Sequence, residues 1–248
     1  MSNFKIAAAQ VASVRGDIVR NIAAHAAAIE AAAKQDVSVL VFPELSLTGY
    51  EPDLAAELAM TATDSRLTPL LTLARQHQIE VVMGVPLHNG LAKPFLGAIL
   101  ASPQGTTRTY CKMHLGGSEP NYFTPGDMPL AFSVNGQTLG VAICADASKA
   151  THPQEYAEAG ANIYAAGVFL TAEWYATDAP RLAGYAVPCR MLILMANHAA
   201  SLGTYTSVGK SAVWTPDGIL LAQAEGAENA LVIATSNNAE WHGEVIRM

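Results

Sequence analysis

Cysteine is scarce in this sequence: three residues, Cys111, Cys144 and Cys189, are scattered through 248, with no Cys-x-x-Cys pair. An odd, widely spaced set argues against a disulfide framework and fits a reducing setting. No Cys/His spacing matches a zinc site. Charge is sparse as well, at 14% of residues, and the balance of 14 basic against 21 acidic residues gives a net charge of −7. Without a basic cluster, neither nucleic acid nor an anionic membrane surface is an expected partner. No apolar run approaches the about 20 residues that a membrane helix needs. The opening Met1-Ser2-Asn3-Phe4-Lys5 has no basic region leading into an apolar core, so no secretory signal is read there and a cytoplasmic location is expected. Repeats, low-complexity stretches and linkers are missing too, which predicts one domain over 1–248.

What is present is apolar residue in quantity, 51% of the chain, enough for a well-filled interior. Phe4 to Gln10 reads as a first strand. Asp17 is placed to cap a helix from Ile18 to Lys34, whose apolar positions Ile22, Ala26, Ile29 and Ala33 share a face. Val37 to Phe42 is apolar almost throughout, as a strand covered on both faces should be. Ser65 is read as the cap of a helix ending near His77, followed by a strand from Ile79 to Pro86. A hairpin is predicted from Phe95–Ala101 and Thr106–Cys111, and a second around Asn135-Gly136, a specific hairpin signal. Then come a helix near Gln154 to Ala159, a strand at Asn162 to Ala166 and helix within Ala172 to Arg190. Further strands are read at Met191–Ala196, Ser211–Thr215, Ile219–Ala224 and Ala230–Ala234. Strands alternating with helices, then hairpins, predict a layered α/β architecture of two packed sheets with helices outside.

Three ionisable residues stand at the carboxyl ends of runs that should be buried. Glu44 follows Val37–Phe42, Lys112 follows Thr106–Cys111, and Cys144 follows Val141–Ile143. In open α/β sheets such ends are where ligand crevices form. Taken alone, Cys144 reads as one more inert core thiol, as do Cys111 and Cys189. Taken together, the three have the chemistry of acyl transfer. A thiol needs a base, a partly buried carboxylate can serve as one, and a fixed ammonium can stabilise an oxyanion.

These residues also resemble a known family. Val41-Phe42-Pro43-Glu44-Leu45 with Thr48-Gly49-Tyr50, Lys112-Met113-His114-Leu115, and Gly140-Val141-Ala142-Ile143-Cys144-Ala145-Asp146 are similar, in order and separation, to the three signature segments of the nitrilase superfamily, the carbon–nitrogen hydrolases. Glu119-Pro120-Asn121-Tyr122-Phe123-Thr124-Pro125-Gly126-Asp127 resembles the segment that follows the family's lysine, with Glu119 at the position of a second active-site glutamate. The likeness extends to Gly160-Ala161-Asn162 and Met195-Ala196-Asn197. It implies a four-layer αββα sandwich with two mixed sheets between outer helices, a homodimer or larger homo-oligomer, and no metal or organic cofactor. It also implies roles. Cys144 is the nucleophile, Glu44 the general base and acid, and Lys112 the oxyanion holder with the backbone N–H of Ala145. Glu119 pairs with Lys112. Tyr50, Ala145, Asp146, Gly167 and Val168 are the candidates for lining the substrate pocket.

The match departs from the family just past the nucleophile. Amidase branches commonly carry an aromatic residue and then Phe-Pro-Glu there, where this chain has Ala145 and Ser148 to Gln154. Asp146 is closer to the amidase branches than to nitrile-hydrolysing ones, which tend to carry Trp-Glu. Tyr185-Ala186-Val187-Pro188-Cys189 replaces the usual Arg-Ala-x-Glu-Asn. No arginine near the motifs offers a clamp for a substrate carboxylate, with Arg181 and Arg190 the remaining candidates. His114, His152 and His198 read as locally packed histidines, His152 being a candidate for the pocket wall. Trp174 and Tyr175 either cap the acyl pocket or face a partner subunit. The reading is a thiol hydrolase that cleaves a small amide to acid and ammonia through a Cys144 thioester. Its rivals are an N-carbamoyl amidohydrolase or nitrilase, and a silent homologue that binds a small metabolite. A cysteine redox protein would need a resolving thiol that the sequence does not offer near Cys144.

Overall fold

The computed structural model describes residues 4–200, 203–237 and 240–248. Its first sheet contains β1 (Phe4–Gln10), β2 (Val39–Val41), β3 (Glu80–Leu87), β4 (Phe95–Ala101) and β5 (Thr107–Cys111). The second contains β6 (Ala131–Val134), β7 (Gln137–Ile143), β8 (Ile163–Val168), β9 (Leu192–Asn197), β10 (Ala212–Trp214) and β11 (Leu220–Gln223). The chain then returns to the first sheet with β12 (Ala230–Asn237) and β13 (Glu240–Arg247), giving the strand orders β13-β12-β1-β2-β3-β4-β5 and β11-β10-β9-β8-β7-β6. Each sheet has three parallel strands at its heart, β1-β2-β3 and β7-β8-β9, flanked by antiparallel neighbours. Both sheets are therefore mixed, as the resemblance implies.

Alternate residues of these strands point to opposite faces, and three cores follow from that rule. Ile6, Ala8, Val39 and Val41 of the first sheet meet Leu139, Val141, Ala165 and Leu194 of the second in a sheet-to-sheet core. Ala7, Leu40 and Val81 turn the other way, onto α1 (Ile18–Ala33) and α3 (Thr68–His77). Ala142, Tyr164 and Ile193 pack outward against α4 (Thr151–Glu158), α5 (Ala172–Gly184) and α6 (Ala186–Cys189). The result is four layers, helix, sheet, sheet, helix, with a short α2 (Ala55–Leu58) beside the crevice end.

Local chemistry accounts for the element ends. Asp17 caps α1 by accepting the Arg20 N–H at 3.0 Å. The cap expected at Ser65 lies one residue earlier: Asp64 accepts the Arg66 N–H, Ser65–Leu67 forms a 3₁₀ turn, and α3 starts at Thr68. Asn135 and Gly136 both adopt positive φ, 49° and 80°, the tight turn that joins β6 to β7. The single helix expected within Ala172 to Arg190 is two, divided at Tyr185 and closed by Arg190 in the left-handed conformation. β13 has no counterpart in the sequence reading.

Candidate active site

β2 and β7 belong to different sheets, and the turns that follow their carboxyl ends bring Glu44 and Cys144 together at one end of the sandwich. β5, at the edge of the first sheet, brings Lys112 to the same place. Lys112 is fully buried, and its Nζ donates to Glu44 Oε1 at 2.6 Å and to Glu119 Oε1 at 2.8 Å. A buried ammonium needs such partners, because desolvation otherwise costs more than a single ion pair returns. Here burial works to lower the lysine's pKa, but Glu44, Cys144 and Glu119 outweigh it and the net shift is upward. Glu119 is held in turn by the Tyr50 hydroxyl on Oε1 at 2.9 Å and by the Gly116 N–H on Oε2 at 2.7 Å.

Glu44 differs in its hydrogen bonding. The residue is 1% exposed, Lys112 donates to Oε1, and Oε2 has no hydrogen-bond partner of ordinary geometry. Burial pushes its pKa up, Lys112 pulls it down and Glu119 pushes again, and the balance lies at about 7. The Cys144 thiol is raised well above its usual value by burial and by Glu44, against the pull of Lys112 and of a hydrogen bond from the Phe169 N–H. At neutral pH, then, the thiol keeps its proton and the carboxylate is the group able to take it. Such a pair suits nucleophilic attack with concerted general-base help rather than a preformed thiolate.

Two backbone features fix the pair. Cys144 has a φ of 40°, a left-handed conformation that a residue with a Cβ adopts only when its surroundings hold it there. The Glu44 turn is seated between Gly84 of β3 and Gly167 of β8. A Cβ on Gly84 would overlap the Pro43 carbonyl, and one on Gly167 would lie 2.7 Å from Phe42 O and 3.3 Å from Glu44 N. Behind the turn, His198 Nε2 bonds the Glu44 carbonyl at 2.7 Å, and burial holds this imidazole down at about 4, so it is neutral. His25 stacks on Phe42 and is likewise held down, at about 3.

A cleft of about 290 Å³ opens over Cys144, its walls including Tyr50, Glu119, Ala145, Phe169, Trp174 and Tyr205. Of the pocket candidates, Tyr50 and Ala145 border it directly. Asp146 does not. It is fully buried, with Oδ1 accepting the Met113 and His114 N–H groups and Oδ2 accepting the Tyr110 hydroxyl and the Ile143 N–H. This carboxylate ties the lysine segment to the cysteine turn. Gly167 and Val168 are also set back. Gly167 abuts the Glu44 turn, Val168 packs into the outer core, and the wall itself is the next residue, Phe169.

His152 is buried between Tyr110 and Tyr164, which bond its two ring nitrogens at 2.9 and 2.8 Å, so it lies behind the site rather than in the pocket wall. Among the described residues, His114, Asp146 and His152 form a cluster with metal-ligand atoms within 4.8 Å. The Asp146 oxygens and both His152 nitrogens are already engaged in the hydrogen bonds just given, so the donor set fits a hydrogen-bond network rather than a metal centre. Tyr175 turns from the cleft, its hydroxyl accepting from Gln223, while Trp174 faces it. Neither Arg181 nor Arg190 lines the cleft. Sequence reasoning missed Phe169, Asp178 and Tyr205 as cleft residues and His198 as the support of Glu44. The i, i+4 spacing of Trp174 and Asp178 on one helix face was the available signal for Asp178.

The sequence model of the family described as carbon-nitrogen hydrolase matches residues 5–242. An (R)-stereoselective amidase from Pseudomonas sp is 33% identical over 163 residues, which span 64% of this chain and 58% of that relative's length. A nitrilase from Pyrococcus abyssi is 27% identical over 83% of this chain and 79% of its own. Among solved structures, a mutant of the amidase from Nesterenkonia sp. AN1 in complex with butyramide superposes with a TM-score of 0.86 at 26% identity, over 95% of this chain and 92% of that one. Another mutant of that amidase, which carries the acetamide moiety of fluoroacetamide added covalently at its active-site cysteine, has the same TM-score and identity over 95% and 91%. The match over nearly the whole chain, the four-layer fold and the Glu44, Lys112 and Cys144 segments meeting at one cleft lead to a single assignment: the chain belongs to the carbon-nitrogen hydrolase family.

Proposed function

We propose that this protein hydrolyses a small amide to a carboxylic acid and ammonia through a thioester on Cys144. The observation that carries the reading is the unshared Oε2 of Glu44, a buried carboxylate oxygen left open beside a protonated thiol at the foot of a cleft. Structural carboxylates in protein interiors have their oxygens satisfied, and an exception calls for a functional explanation.

In the first step Cys144 Sγ attacks the amide carbonyl carbon while Glu44 takes the thiol proton. The oxyanion that forms is received by Lys112 and the Ala145 N–H. Nζ has three donors and Glu44 and Glu119 occupy two, which leaves the third for the substrate oxygen. Glu44 then gives its proton to the leaving nitrogen, the carbon–nitrogen bond breaks, and ammonia departs to leave the acyl thioester. A water, deprotonated by Glu44, attacks the thioester and releases the acid. The proton returns to sulfur. Glu119 and Tyr50 act by holding Lys112 in place throughout.

The test is ammonia release from short aliphatic amides, N-carbamoyl compounds and nitriles, with wild type and Cys144→Ala side by side and hydroxylamine present to trap an acyl-enzyme. Release from amides, hydroxamate formation, and loss of both in the variant are expected. Turnover retained by Cys144→Ala, or release confined to nitriles or N-carbamoyl compounds, would overturn the proposal.

A further inference from the structure

The cleft above Cys144 has an uneven chemical lining. Two carboxylates border it, Glu119 and Asp178, while lysine, arginine and histidine are absent from its walls among the described residues. Lys112 lies beneath, and its charge is already shared between Glu44 and Glu119. The remaining walls are largely aromatic. Tyr50 and Phe169 stack at 4.8 Å with their planes 10° apart, and Tyr205 stands edge-on to both at 6.2 and 6.4 Å. Trp174 continues the wall, 6.4 Å from Tyr205, and both rings are substantially exposed, 41% and 44%, at the mouth. Asp178 follows Trp174 by one turn of α5 and so stands on the same face.

Each class of acyl group meets this lining differently. A carboxylate on the acyl chain would meet Glu119 and Asp178 and find no basic group among the lining residues. An apolar chain would match the rings but leave the Asp178 charge to be partly desolvated without return. A cation satisfies both features, since ring faces attract positive charge and Asp178 supplies the counter-charge. Asp178 already accepts from Arg181 on its own helix through Oδ1, a part-buried i, i+3 pair, and the second oxygen is not used by that bond.

We propose that the substrate is an amide whose acyl side carries a positive charge, an ammonium or a protonated ring nitrogen, seated between the Trp174 and Tyr205 rings and Asp178. The inference rests on the amide-hydrolase reading above and names its substrate class.

Three amides of similar length test it at pH 7.5: pentanamide, 4-aminobutanamide and the monoamide of succinic acid, neutral, cationic and anionic at the acyl end. The expected order of kcat/KM is cationic over neutral by about tenfold, with the anionic amide lowest. Asp178→Asn should bring the cationic-to-neutral ratio down to near one. Arg181→Gln, which releases Asp178 from its helix partner, should raise that ratio. Hydrolysis of pentanamide with no preference for the cationic amide, or a preference that survives Asp178→Asn, would overturn this inference and leave the amidase reading standing. Silence on all three amides would overturn both.

Discussion

Two carboxylates lie buried close to Cys144, one two residues along the chain and one brought there by the fold, and they are opposites. Asp146 is fully buried and both of its oxygens are saturated, by three backbone N–H groups and the Tyr110 hydroxyl. Glu44 is buried almost as deeply, yet one of its oxygens is unshared and its pKa is raised to about 7. The sequence presents both as acids next to motif residues, and burial alone does not separate them. The separating quantity is the number of donors that the surrounding backbone supplies. A satisfied carboxylate is a fastener, and one left short of partners retains the capacity to move a proton.

That contrast can be broken at several points. Replacing Glu44 with Gln removes the proton acceptor while keeping the shape, and kcat should fall by about 10²–10⁴-fold, read from steady-state ammonia release. An almost fully active Glu44→Gln would erase the distinction. Lys112→Ala should cost about 10²–10³-fold in kcat, the scale of one lost oxyanion donor.

The pH profile sharpens the same point. Because the Glu44 pKa is raised, the base is protonated and idle below about 7, so log kcat/KM should rise with unit slope up to that pH and then level off. A profile flat from pH 5 to 8 would assign the base elsewhere. Asp146→Asn should behave in the reverse manner. One amide group would face buried donors that have lost their acceptor, lowering unfolding stability by about 1–3 kcal/mol in urea titrations, with less than tenfold lost from kcat. Catalysis lost at unchanged stability would show that Asp146 is no mere fastener.

How much of this was legible beforehand depended on the kind of signal. Runs such as Val39 to Phe42 and Leu139 to Ile143 announce buried strands, and Asn135-Gly136 announces its turn, because each is encoded by a few adjacent residues. The strand ends carrying Glu44, Lys112 and Cys144 were readable for the same reason. β13 was not, since Glu240 to Arg247 lies mostly exposed at a sheet edge and has no apolar face to give a period. Asp146, Gly167 and Val168 were read as pocket-lining residues, and none of them is in the cleft wall. Adjacency in sequence to the nucleophile does not reveal that a side chain turns back to collect backbone donors. His198 supports Glu44 from 154 residues away, and nothing in the local sequence of either marks the pairing. The rings of Tyr205 and Phe169 join Tyr50 only through the fold.

The two glycines under the Glu44 turn come from different sheets, Gly84 from the first and Gly167 from the second. The position of Glu44 is thus gauged by the interval between the layers, with no side chain on either flank to take up a change. A methyl group added at either position would displace the turn that carries Glu44. In a mutational survey both glycines should therefore score as active-site positions, inactive when replaced although folded. For the same reason, repacking the apolar layer between the sheets offers a way to adjust the catalytic rate from inside the protein, out of reach of any substrate.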